Sequence, residues 1–290
     1  MTQWKLGIIG GSGLYALDGL EAVRSETVET PWGTPSASLT HGRLKGVDLV
    51  FLPRHGPGHP IPPSDIPFRA NIAALKMAGC TDILSISACG SLREHLAPGH
   101  FVMVDQYVDR TVSRERSFFG PGCVAHVPLA RPVCGRLSGL AADAAEAEGI
   151  PTQRGGTYLV MEGPQFSTRA ESELYRQWGM DVIGMTNMPE ARLAREAELP
   201  YAAIAMVTDY DCWYDEAGEV DVAEVLKVMQ GNTVKAKALL TRLTANLSGQ
   251  ERTPAPDGIE TVLDTALITA PSARDPDKLA ELRVIAGRVL

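Results

Sequence analysis

Paired cysteines are missing from this chain. It has five, Cys80, Cys89, Cys123, Cys134 and Cys212, an odd number with no C-x-x-C spacing. That argues against a disulfide framework or a zinc knuckle and for a reducing, cytoplasmic setting. An excess of positive charge is missing too: 27 Lys and Arg stand against 35 Asp and Glu, a net charge of -8. A general nucleic-acid binder needs a broad basic surface that this balance cannot supply, although a local cationic pocket stays open. No apolar run reaches membrane-spanning length. The opening MTQWKLGIIGG passes straight into strand-like sequence, without the basic region, apolar core and cleavage site of a signal peptide. His55 and His59 stand four apart, but HGPGH contains Gly and Pro and cannot form a zinc-binding helix, so they read as loop histidines and no metal is expected.

What is present is an ordinary globular balance, 44% hydrophobic and 21% charged over 290 residues, enough for one large α/β domain or two small ones. Short apolar runs rich in β-branched residues lie at 6–10, 47–52, 82–87, 101–106, 157–161, 181–185 and 202–207. Several are nearly continuous, as expected of strands covered on both faces. Helical patterns lie between them at 67–78, 132–148, 168–178 and 189–197, with a long one at 221–246. Thr168 and Glu171 fit a capping box, and Pro189 suits a first helical turn. In the long helix, Val222, Val225, Leu226, Met229, Ala236, Leu240 and Leu243 follow a helical core stripe. The alternation predicts one α/β domain over residues 1–248, its mixed sheet flanked by helices. The Pro-rich GQERTPAPDG then predicts a loop before a helical segment at 275–288, with 249–290 packed on the same domain.

Polar residues gather just after the strands: Gly10 to Gly13, Arg54-His55-Gly56, Ser87 to Ser91, Glu162 to Ser167, Met185-Thr186 and Asp209-Tyr-Asp211. In α/β sheets ligands bind beyond the carboxyl ends of strands, and six such ends predict one composite pocket. Any one of them alone reads better as a turn, and the joint pattern reverses that. Gly11-Ser-Gly-Leu-Tyr-Ala16 fits a dinucleotide fingerprint, but the next expected strand end offers Arg54-His55 and no acid for a ribose. Amides of the Gly-rich turn, the Ser12 and Thr186 hydroxyls and the Arg54 fork suit a small anion such as phosphate better. In TDYDCW, Asp209 and Asp211 follow a buried strand directly, where crowding, like charge and poor hydration raise at least one carboxylate pKa.

The segments GIIGGSGL, FLPRHG, ISACGSLRE, GTYLVMEGPQFSTRAE, VIGMTNMPEARLARE and AMVTDYDCW resemble the purine nucleoside phosphorylases, most of all the 5′-methylthioadenosine phosphorylase branch. The resemblance runs from about residue 6 to about 246. It implies a single-domain nucleoside phosphorylase-like fold, a homotrimer, phosphate as co-substrate, and neither metal nor organic cofactor. By matching segments it implies phosphate contacts at Ser12, Arg54, His55, Ser87, Ala88 and Thr186, a ribose contact from the Met185 backbone, and a base pocket of Phe166, Ser167, Asp209 and Asp211. Some relatives carry Asn in place of Gly184. It further implies that Val222 faces the 5′-methylthio group and that His126 completes a neighbouring subunit's site.

The implied reaction is phosphorolysis of a nucleoside C–N bond. Asp209 is the expected acid at purine N7, and Asp211 keeps its proton available by like-charge repulsion while accepting from an exocyclic amine. Phosphorylases acting on 6-oxopurines carry Asn at the position of Asp209 and Glu at that of Ser167, so the pair here favours adenine over a 6-oxopurine or methylthioinosine. A hydrolytic nucleosidase and an NAD-dependent or non-catalytic nucleotide binder are the other readings. The anion-site residues stand against the first, and the missing second-strand acid against the second.

Overall fold

The computed structural model of the chain describes residues 3–11, 13–14, 17–214 and 221–290. Among these the strands are β1 (Lys5–Gly10), β2 (Glu21–Glu26), β3 (Leu39–Leu44), β4 (Val47–Pro53), β5 (Asp82–Ser91), β6 (Phe101–Val104), β7 (Gln106–Asp109), β8 (Thr152–Arg154), β9 (Thr157–Val160), β10 (Val182–Gly184) and β11 (Tyr201–Asp209). The α-helices are α1 (Phe68–Met77), α2 (Gly135–Ala147), α3 (Arg169–Gln177), α4 (Asn187–Glu196), α5 (Val222–Leu247) and α6 (Pro276–Ala286).

The strands form one mixed sheet centred on β5, which pairs in parallel with β1 and β11 and, at its end, antiparallel with β10. One arm runs through β1 to β4, β3 and β2; a second runs through β10 to β9 and β7; a third runs through β11 to β6 and β8. The continuous apolar character of the central strands has a direct cause. In β11, Ala203, Ala205 and Val207 enter one hydrophobic core, while Ala202, Ile204 and Met206 enter another on the opposite face. Both faces are dry, so alternation disappears from the sequence.

The run at 101–106 is two strands rather than one. The chain changes arms at Asp105, whose carboxylate accepts from the Gly156 amide at 3.0 Å, so β6 joins β11 and β7 joins β9. Strands β2 and β3 were not expected from the sequence: β2 is a largely exposed edge strand, and β3 contains His41 and Gly42, so neither presents an apolar run. Thr168 and Glu171 form the capping box of α3. The core stripe expected along α5 holds only for its second half, where Ala236, Leu240 and Leu243 are buried. Val222 and Leu226 are 57% and 58% exposed. Asn232 marks the change: it is buried and donates to the Val207 carbonyl at 2.9 Å, pinning α5 to the end of β11.

Residues beyond 248 share the same interior. Leu263, Leu282 and Ile285 belong to the hydrophobic cluster that contains Tyr201 and Phe118. Arg252 and Arg136 both reach the fully buried carboxylate of Asp82 at the start of β5. A buried carboxylate requires such partners.

Candidate active site

The carboxyl ends of β1, β4, β5, β9, β10 and β11 converge on one cavity of about 500 Å³, with α5 as its outer wall. Of the residues expected from sequence, Arg54, His55, Ser87, Ala88, Phe166, Met185, Thr186, Asp209 and Asp211 line it. Ser12 lies outside the described residues. Ser167 stands just behind the wall: its hydroxyl meets Met161 Sδ at 3.6 Å and its carbonyl accepts from Cys212 Sγ at 3.3 Å. Val222 is exposed near the cavity's α5 wall, and Val225, Leu226 and Met229, read from sequence as core, supply that wall instead. His126 is exposed and is not among the described residues lining this cavity; its amide donates to the Ala266 carbonyl at 2.9 Å. The element after β1 is a strand and not a helix, so the Gly-rich turn is no dinucleotide-binding unit.

Backbone irregularity aims the two aspartates. The register between β11 and β5 shifts between Val207 and Asp209, a bulge that turns the strand end toward the cavity. Gly90 lies opposite, and a side chain there would come within 2.9 Å of Asp209 Oδ1 and 3.1 Å of Ile183. Only glycine leaves room for the carboxylate. Asp211 sits at φ 52°, in the left-handed region that Asp tolerates better than most residues. Asp209 accepts from the Asp211 amide at 2.8 Å and from the Thr208 hydroxyl at 2.7 Å, while Asp211 Oδ2 is buried with no hydrogen-bond partner among the described residues.

Burial, more than mutual repulsion, governs both carboxyls. It raises the pKa of Asp209 against the lowering effect of its two donors. It raises that of Asp211 to about 6, with the nearby Asp209 charge a lesser contributor. Of the causes expected from sequence, poor hydration leads, and like charge is a lesser contributor at Asp211 alone. His55 is pushed down to about 4 by burial, against the raising effect of its Nδ1 contact with the Ile61 carbonyl at 2.8 Å. It also stacks on His59 at 3.9 Å.

The end of the cavity expected to hold an anion differs most from expectation. Arg54 does not offer its fork to the cavity. Its Nε and Nη2 donate to the two carboxylate oxygens of Glu190 at 2.9 and 3.2 Å, and both side chains are buried. Tyr201 adds a hydroxyl donor to Glu190 at 2.8 Å. The Ser87 and Thr186 hydroxyls both lie against Asn187 Oδ1, at 3.2 and 3.5 Å. Arg114, also missed in the sequence, donates to the carbonyls of Met185, Met188 and Glu162 at 2.6, 2.7 and 2.7 Å, and so fixes the chain after β9 and β10. Asn187 and Glu190 lie within the segment VIGMTNMPEARLARE, where sequence reasoning assigns them no role, and Arg114 lies in none of the family-like segments. A side chain in place of Gly184 would collide with the Tyr158 hydroxyl, which fills that space here.

Among the described residues no group of three His, Cys, Asp or Glu side chains is placed to hold a metal ion. A second cleft of about 480 Å³ lies elsewhere, beside α6; there Arg252 pairs with Glu260 and Arg288 with Glu198, and Lys76 and Arg283 also line it.

The chain belongs to the Phosphorylase superfamily, whose family model matches residues 5–245. It is 58% identical to S-methyl-5′-thioadenosine phosphorylase of Cereibacter sphaeroides, across 98% of both chains. It is 59% identical to the enzyme of that name from Bradyrhizobium diazoefficiens, across 100% of this chain and 99% of the other. In structure it superposes on a methylthioadenosine phosphorylase from an Antarctic soil metagenomic library with a TM-score of 0.91 and 41% identity, across 98% of this chain and 99% of that one.

The environment of Asp211 generates a stability prediction. A carboxyl whose pKa is raised by folding costs the fold nothing below its unfolded value near 4 and costs it most once pH exceeds its folded value. For a folded value of about 6 the full cost is on the order of 3 kcal/mol. Asp211→Asn keeps the shape and tolerates the same backbone. Its Tm, measured by calorimetry, is expected to exceed that of the parent at pH 8 and to match it at pH 4. A gain independent of pH would contradict the burial account.

Proposed function

We propose that this chain cleaves S-methyl-5′-thioadenosine with phosphate, giving adenine and 5-methylthioribose 1-phosphate. The observation that carries the reading is one cavity with the buried Asp211 and half-buried Asp209 carboxylates at one end and the Ser87 and Thr186 hydroxyls beside Arg54 and His55 at the other. The high identity to phosphorylases of that name supports it.

Breaking the ribose–purine bond places positive charge on the sugar and negative charge on the base. Phosphate below the ring supplies the attacking oxygen and stabilises the sugar's charge, so positioning provides much of the acceleration. Ala88 and Gly-rich-turn amides, with the Ser12, Ser87 and Thr186 hydroxyls and His55, hold that anion. The Met185 backbone meets the ribose, and Phe166 covers the base. Asp209, half-buried and raised in pKa, delivers a proton or strong hydrogen bond to N7. The unpartnered Oδ2 of Asp211 accepts from the N6 amine of adenine, and Ser167 donates to N1 after a rotation away from Met161. A 6-oxopurine would set its O6 acceptor against that carboxylate. The reaction needs no metal and no organic cofactor.

The 5′ end of the cavity is open in the single chain, where Phe166, Val222 and Leu226 are 48%, 57% and 58% exposed. Exposed apolar groups at a cavity mouth call for a cover. A homotrimer supplies it, His126 of each copy closing the methylthio pocket of the next, with Val222 on the facing wall. The five free cysteines, four of them buried, fit a cytoplasmic protein. No helix among the described residues is long and apolar enough to cross a membrane.

Asp209→Asn removes the transferable proton but keeps the shape. The kcat/KM for methylthioadenosine is expected to fall about 100-fold or more, the usual scale for a positioned acid, with a smaller loss for methylthioinosine. Adding Ser167→Glu is expected to shift preference further toward methylthioinosine, non-additively because the two sites line one base. Unchanged adenine release in Asp209→Asn would place the acid elsewhere. For the shared site, His126→Ala is expected to raise the KM for methylthioadenosine while sedimentation still reports a trimer. A monomer with full parental activity would exclude it.

A further inference from the structure

Among the described residues lining the cavity, Arg54 is the one Lys or Arg, and its charge is already answered. A guanidinium has five N–H bonds. The Nε bond goes to Glu190. Both Nη2 bonds go to a set formed by Ser85 Oγ at 2.6 Å, Glu190 Oε1 at 3.2 Å and the Ile9 carbonyl at 3.4 Å. One Nη1 bond goes to the Ile86 carbonyl at 3.2 Å. That leaves a single N–H for the cavity. The two side chains are 3% and 1% exposed, so the pair's charges cancel in a dry interior instead of being shared with water. The neighbouring imidazole adds no compensating charge, because burial holds it neutral near pH 7 in spite of its Nδ1 contact with the Ile61 carbonyl, which favours the charged form.

We infer that Glu190 is a positioning residue that sets phosphate affinity. It takes the fork and the charge of Arg54, leaves one guanidinium N–H for the anion, and makes the subsite a nearly neutral cradle. The inference rests on the reading that this end of the cavity holds phosphate. Its functional consequence concerns exchange. The attacking phosphate and the departing sugar phosphate are both anions held by the same donors. A full uncompensated charge would bind both tightly in the ground state, which lowers KM without assisting the chemical step and slows product departure. Glu190 keeps the anion exchangeable while the neutral donors keep it oriented.

The test combines phosphate-dependent kinetics with the shift in Tm on adding inorganic phosphate to the free enzyme. Glu190→Gln removes the counter-charge and nearly preserves shape. Its phosphate dissociation constant and phosphate KM are expected to fall about tenfold, the scale of one unpaired buried charge acting on an anion, and kcat to fall with them. Its methylthioadenosine KM is expected to stay within about twofold. Glu190→Asp keeps the charge, and its phosphate affinity is expected to stay near that of the parent. Phosphate affinity in Glu190→Gln equal to or weaker than the parent's would overturn the inference. Should that variant not fold, the double replacement Arg54→Met with Glu190→Met removes both charges. It is expected to fold and to keep its phosphate KM within about tenfold of the parent, since buried pairs are often replaceable by apolar residues. A rise of about 100-fold or more there would show that the Arg54 charge itself holds phosphate, against the inference. Thr186→Val separates the two levels. If it leaves phosphate KM unchanged, the location of the phosphate site is wrong. If it raises phosphate KM while Glu190→Gln does not lower it, the location stands and the role of Glu190 falls.

Discussion

The exclusion of water from the end of β11 is the constraint on which the site depends. A nine-residue strand buried on both faces ends in a carboxylate that the bulge after Val207 turns into the cavity. Two donors, the Thr208 hydroxyl and the Asp211 amide, keep Asp209 soluble in that interior, while desolvation keeps its proton accessible. Gly90 on the neighbouring strand yields the volume the carboxylate occupies, and Asn232 ties α5 to the same strand end.

The opposite end of the cavity uses a different device. A buried cation is expensive alone, and Glu190 on α4 compensates Arg54 after β4, joining elements that are far apart in sequence. Asn187, three residues earlier and across the break in helical backbone at Met188, lies against the hydroxyls of Ser87 and Thr186. The segment 187–190 thus meets side chains from three strand ends. The acid end and the anion end are both shaped by desolvation, one through raised carboxyl pKa values and the other through charge cancellation.

Much of this was legible in the sequence. Continuous apolar runs marked the central strands, and small or polar residues directly after them marked the cavity, because a sheet's carboxyl ends are where such residues have a use. The rest was hidden for identifiable reasons. Strands β2 and β3 lack apolar runs because β2 is an exposed edge and β3 is built around His41 and Gly42. The break at Asp105 depends on a hydrogen bond to Gly156 that no local pattern announces. Glu190 looks like a surface residue in the charged sequence PEARLARE, and its burial follows only from meeting Arg54. The apolar positions at the start of α5 have helical spacing whether they face a core or a cavity, so periodicity alone assigned Leu226 to the wrong environment.

The central claim is that the anion cradle and the paired carboxylates act on one substrate in one cavity. The most direct measurement follows the fate of methylthioadenosine by phosphorus NMR and adenine absorbance, with and without inorganic phosphate. The account predicts adenine release only when phosphate is present, with one new sugar phosphate ester formed per adenine. Adenine released at the same rate without phosphate, together with free methylthioribose, would contradict it.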